Sequence, residues 1–223
     1  AHAVAGVDTA VHAGSTARTA SSAGAGGARR EPEAVRPAGT EVVAGPCVLV
    51  APPGLEKAAA SLAARGGPGL AALETDLGAR FAAPFRMVLI PRGGARDSAA
   101  AALDRGAPPW AAGFVSPGAR VGAIRVANAS RYPYGTLEAV LVHEGAHVLL
   151  HDRAGSRLPL WFDEGVATWE ARRWNLEDAW IYSGALLAGD PPRLAALDPD
   201  FHGAEGRARR AYAVAFSFVA WTA

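Results

Sequence analysis

Two histidines and a glutamate stand at His143, His147 and Glu144, in the run Val142-His143-Glu144-Gly145-Ala146-His147-Val148-Leu149-Leu150-His151. Residues four apart lie one above the other on a helix face. His143 and His147 can therefore aim two imidazoles at one point, as a zinc ion requires. Glu144 sits beside them, close enough to take a proton from a metal-held water. The flanking residues are apolar: Leu137, Val140, Leu141, Ala146, Val148, Leu149 and Leu150. They predict a buried helix from about Tyr134 to His151, opened by Thr136 or Tyr134 after Pro133. Polar groups inside such a helix need partners, and a metal would provide them.

A zinc site needs a third protein ligand and leaves a fourth position open. Downstream lies Leu158-Pro159-Leu160-Trp161-Phe162-Asp163-Glu164-Gly165-Val166-Ala167-Thr168-Trp169. H-E-x-x-H followed by W-[LF]-x-E-G-x-A resembles the gluzincins, the metallopeptidase superfamily of thermolysin and aminopeptidase N, and most of all their short peptidase MA-like members. The resemblance runs from roughly Val42 to the end and is sharpest from Glu138 to Trp169. It implies Glu164 as the third zinc ligand and peptide-bond hydrolysis with Glu144 as general base. The segment Ala211-Tyr212-Ala213-Val214-Ala215-Phe216-Ser217-Phe218-Val219 is similar to a helix of those proteins. That similarity implies Tyr212 as a hydrogen-bond donor to the oxyanion, beside its plain reading as a core residue.

Three features depart from the pattern. The spacing from His147 to Glu164 is shorter than in thermolysin, with Gly155 and Pro159 able to make a tight connection. Thr168 stands where thermolysin has an Asp that orients a zinc histidine, with Asp152 and Glu138 as alternatives for that task. The G-x-M-E-N motif that anchors a free amino terminus is absent, which leaves endopeptidase activity as the expectation.

The elements that must position these residues read as follows. Glu41 to Ala51 is a strand, ended by Pro52-Pro53. Leu55 to Arg65 and Gly69 to Phe81 are two helices, parted by Gly66-Gly67-Pro68. Phe85 to Ile90 is a buried strand, and Asp97 to Arg105 a short helix. Trp110 to Val115 and Arg120 to Ala127 are strands joined at Ser116-Pro117-Gly118. The metal helix and a mainly helical remainder follow. This order predicts an α+β fold with a mixed sheet beside the H-E-x-x-H helix. The strand Val121 to Asn128 is the expected edge, either as a pairing site for an extended substrate or as an ordinary edge.

Other residues carry weaker assignments. His151 falls one further turn along and suits a helix-end or supporting role. Asp163 points elsewhere on its helix and is ranked behind Glu164 as a ligand. Trp161 and Phe162 read as core. Cys47, alone and among apolar neighbours, reads as a small buried hydrophobe that forms no disulfide framework. Residues 1–40 are Ala-, Gly- and Ser-rich and read as a disordered tail that places His2 and His12 outside any site. Residues 41–223 form the metallopeptidase-like domain. The missing start Met and the absent helix stop at Thr222-Ala223 suggest processing and a truncated end.

Lys and Arg total 22 against 21 Asp and Glu, a formal net charge of +1. That balance gives no case for nucleic acid. Arg29-Arg30, Arg172-Arg173 and Arg209-Arg210 read as solvated pairs. No run is long and apolar enough for a transmembrane segment. The expected partner is a peptide or protein substrate, the expected cofactor Zn²⁺, and export is favoured over a cytoplasmic location. Three alternatives remain: an inactive zinc-binding relative acting as scaffold, a di-iron protein, and a buried helix without metal. A di-iron bundle wants a second Glu-x-x-His, which the chain lacks.

Overall fold

The computed structural model describes residues 38–105, 107–187 and 193–223. Most of the predicted tail lies outside them. The chain begins with a hairpin, β1 (Thr40–Ala44) and β2 (Cys47–Ala51), then α1 (Glu56–Asp76), β3 (Phe85–Ile90), α2 (Ser98–Asp104), β4 (Gly113–Ser116) and β5 (Val121–Arg125). Five helices follow: α3 (Leu137–Ala154), α4 (Leu160–Ala171), α5 (Leu176–Leu187), α6 (Asp198–Phe201) and α7 (Glu205–Thr222). The architecture is α+β, as expected.

The sheet is mixed, in the order β1-β2-β3-β5-β4. β3 runs parallel to both β2 and β5, while β1 and β4 close the edges antiparallel. Side chains alternate across a strand. Phe85, Met87 and Leu89 enter the main core with α1 and α3, while Val88 and Ile90 pack with Ala100 of α2 on the other face. Both faces of the central strands are covered, so these strands read as unbroken apolar runs.

Four expectations need correction. The run from Glu41 to Ala51 is a hairpin, because Gly45 adopts φ +58° in the two-residue turn Gly45-Pro46. The two helices expected around Gly66-Gly67-Pro68 are the single helix α1, with Pro68 inside it. An interior Pro costs about 3 kcal/mol. Leu62, Leu70 and Leu73, all buried to 1 % exposure or less, each contribute about 1.5–3 kcal/mol and outweigh it. The small residues serve packing: a Cβ on Gly66 would lie 2.8 Å from Leu141 Cδ2, and one on Gly69 2.6 Å from Val142 Cγ2. Phe162 is exposed where a core residue was expected, while Trp161 does pack against the helical core, half-buried and edge-on to Phe218 at 5.4 Å. Finally, Arg172 is no solvated residue. Its guanidinium forms a two-pronged ion pair with the fully buried Asp178, at 2.7 and 2.6 Å.

Cys47 is buried, and burial pushes its thiol far above the usual range, as suits a packing residue. Among the described residues, no helix is long and apolar enough to cross a membrane.

Candidate metal centre

Helix α3 is capped by Thr136, whose Oγ1 accepts from Ala139 N at 3.1 Å. Its start falls three residues later than the sequence suggests, and it runs on to Ala154. The helix is sandwiched among sheet, α1 and α4, so nearly every face is buried. The glycine of the signature has a packing reason: a Cβ on Gly145 would stand 2.3 Å from Leu70 Cδ2. One face of α3 presents His143 and His147 to α4, which brings Glu164.

The three side chains converge. His143 Nε2 and His147 Nε2 are 3.1 Å apart, and Glu164 Oε2 lies 3.2 Å from the first and 3.5 Å from the second. His143 is 1 % exposed and Glu164 9 %. Glu164 Oε2 nonetheless makes no well-aligned hydrogen bond among the described residues. Three lone-pair atoms directed at a common centre, in a setting that penalises unpaired polar groups, could hold a metal ion.

Asp163 is the residue whose importance the sequence underrated. His147 Nδ1 lies 2.8 Å from Asp163 Oδ2, an arrangement in which Nδ1–H donates to the carboxylate and Nε2 faces the triangle. A carboxylate on the far nitrogen fixes ring orientation and raises ligand basicity. The adjacency that seemed to disqualify Asp163 as a ligand places it behind one. Asp163→Ala is expected to weaken metal binding about 10–100-fold, measured by competition with a chromophoric chelator. Unchanged affinity would show that this bond orients nothing.

The other candidates for that task are engaged elsewhere. Asp152 pairs with Arg120 at 2.6 Å and accepts from Ala82 N, and Glu138 pairs with Arg65. Thr168 is buried at 1 % exposure with its hydroxyl unpaired among the described residues. His151 stands apart from the triangle and faces Gly118.

Glu144 is 2 % exposed and reaches toward β4. A Cβ on Gly113 would lie 2.5 Å from Glu144 Oε1, so a larger residue there would displace this carboxylate. A cavity of about 490 Å³ opens here, bounded by β4 on one side and by Phe201, His202 and Tyr212 on the other. The edge beside the cavity is therefore β4. The strand expected in that role, β5, is paired on both sides and interior. The antiparallel hairpin explains the exchange: β4 precedes β5 in the chain and lies outside it in the sheet. Tyr212 lines this cavity with Tyr134, a residue that sequence reading treated only as a helix opener.

Burial and neighbouring charge set the protonation of the group. Burial pushes Glu144 up to about 8, opposed by His147. Burial also lowers the His143 pKa, against the pull of Glu164. For His147 burial acts downward too, but the Glu164 and Asp163 carboxylates outweigh it and hold its pKa well above the usual value. Burial raises Glu164, yet the two imidazoles overcome this and leave its pKa below the usual carboxylate range.

The metal-free site thus keeps a proton on His147 at neutral pH. An imidazole binds a metal only in its neutral form, so metal uptake would release that proton. Because the His147 pKa is raised, its proton holds the metal-free form below that pKa and is lost above it. Metal affinity is expected to increase with pH up to the raised His147 pKa, by up to about tenfold per unit for one proton, and to level off above it. Chelator competition at a series of pH values measures this, and a flat profile would contradict it. In comparisons with protein-family models, curated proteins and solved structures, the chain has no match.

Proposed function

We propose that the protein is a zinc-dependent peptidase of gluzincin type, with His143, His147 and Glu164 as the zinc ligands and Glu144 as the general base. The convergence of the three ligand atoms carries this reading. Tetrahedral bonds of about 2.0–2.1 Å place ligand atoms about 3.3–3.4 Å apart. The separations of 3.1, 3.2 and 3.5 Å bracket that spacing. Two imidazoles and one carboxylate, with a cavity on the open side, are the donor set of catalytic zinc.

Bound zinc would supply Lewis-acid polarisation of a carbonyl and bring the pKa of a water to roughly 7. The residues of the chain do the rest. The substrate is a peptide or protein. Its extended backbone would lie along the free edge of β4, where main-chain pairing gives affinity without sequence demands. Glu144, set beside Gly113 of β4, takes the proton of the attacking water and returns it to the leaving amine. A cation held by the triangle would lower the Glu144 pKa from about 8 and favour its ionised form. A tyrosine hydroxyl lining the cavity steadies the developing oxyanion. Asp163 keeps His147 in the tautomer that presents Nε2.

The test is hydrolysis of casein and a mixed peptide library by zinc-loaded protein. Cleavage is expected to disappear with a chelator and return with zinc. Zinc-loaded protein that cleaves nothing in the library would favour a metal-binding scaffold.

A further inference from the structure

Tyr134 lies two residues ahead of the Thr136 cap of α3, and its ring packs edge-on against His143 with centroids 4.8 Å apart. Tyr212 approaches the same imidazole from α7 at 6.3 Å. Both tyrosines are buried, and both line the cavity with Glu144 and Glu164. Their hydroxyls are hydrogen-bond neighbours. Each phenol has one proton to donate and lone pairs to accept. When two phenols bond to each other, one proton is used inside the pair and one remains for a ligand.

The packing distinguishes the two. Tyr212 is backed by Phe201, edge-on at 5.1 Å, and sits in the small core that α7 forms with α5 and α6. The Tyr134 ring is the closer of the two to the His143 ring, whose Nε2 is a corner of the triangle. We propose that the Tyr134 hydroxyl meets the reacting carbonyl oxygen, and that Tyr212 stands behind it as a positioning residue whose proton goes to the Tyr134 oxygen. The pair then works as one donor, and Tyr134 joins the catalytic residues. This inference rests on the metallopeptidase reading.

The consequence is an order and a non-additivity. An oxyanion donor is worth about 10²–10³ in kcat. Tyr134→Phe should lose about 100-fold in kcat with a small change in KM. Tyr212→Phe, which misaims the donor without removing it, should lose about tenfold. The double variant should match Tyr134→Phe alone, since a positioning residue has nothing left to position. The readout besides activity is calorimetric binding of a peptide phosphonamidate, whose tetrahedral oxygens take the place of the oxyanion. Its Kd should weaken in the same order, with zinc content and melting temperature unchanged in all three variants. A larger loss for Tyr212→Phe than for Tyr134→Phe, or a double variant equal to the product of the singles, overturns the assignment. Failure of the metal reading looks different: wild type then binds neither zinc nor the phosphonamidate, and Tyr134 as donor falls with it.

Discussion

Glu144→Gln is expected to keep its zinc and its fold and to lose nearly all peptide hydrolysis. Glutamine matches glutamate in size and in hydrogen bonding, and it fits the same space beside Gly113. It cannot accept a proton, and a positioned base is worth about 10²–10⁴ in rate. Glu144 does not belong to the converging triangle, so metal content should not change. Glu164→Gln provides the contrast, because Glu164 Oε2 is one corner of that triangle. It should lose metal first and activity as a consequence. The pH profile gives a second reading. A general base must be ionised, so activity should rise with pH through the Glu144 pKa, and that limb should be missing in Glu144→Gln. Hydrolysis by Glu144→Gln at the wild-type rate would rule out this mechanism.

The largest stability effect is expected outside the converging triangle, at Asp178. This carboxylate is fully buried. It accepts two bonds from the Arg172 guanidinium, one from the Tyr132 hydroxyl at 2.9 Å and one from Asn175 N at 2.9 Å. Arg172 also lies over the Phe216 ring at 4.6 Å, which joins α4, α5 and α7. Removing one partner of a buried ion pair leaves the other charge uncompensated and costs about 3–5 kcal/mol. Asp178→Ala should therefore reduce the unfolding free energy by about that amount and lower the melting temperature by roughly 10 °C. Denaturant unfolding measures it. The double variant Asp178→Leu with Arg172→Met should recover most of the loss, because an apolar pair of similar volume can replace a buried salt bridge. A loss under about 1 kcal/mol for Asp178→Ala would place the pair with solvent-screened surface bridges.

The sequence disclosed what local pattern encodes. The i, i+4 histidines lie on one helix face because helical geometry puts them there, and the apolar residues around them do bury the helix. β3, the short helix after Asp97 and the opening of α3 at Thr136 were equally legible. What stayed hidden depends on distant parts of the chain. Gly66, Gly67 and Pro68 look like a helix break until α3 packs against α1, where Gly66 and the nearby Gly69 are what lets the helices touch. The edge beside the cavity went to β4 because strand order is a property of the whole sheet. Arg172 looked like surface charge, because its partner Asp178 becomes a partner only when α5 folds back. Asp163 lay next to Glu164 in plain view. Its contact with His147 needs the approach angle of α4 to α3, which no spacing rule supplies.

The measurement that bears most directly on the metal centre is elemental analysis of purified protein, wild type beside the His143→Ala, His147→Ala double variant. Wild type should carry about one zinc per chain, and the double variant should carry almost none while remaining folded by circular dichroism. Full zinc occupancy in the double variant, or no bound metal in wild type after zinc loading, would contradict the centre built from His143, His147 and Glu164.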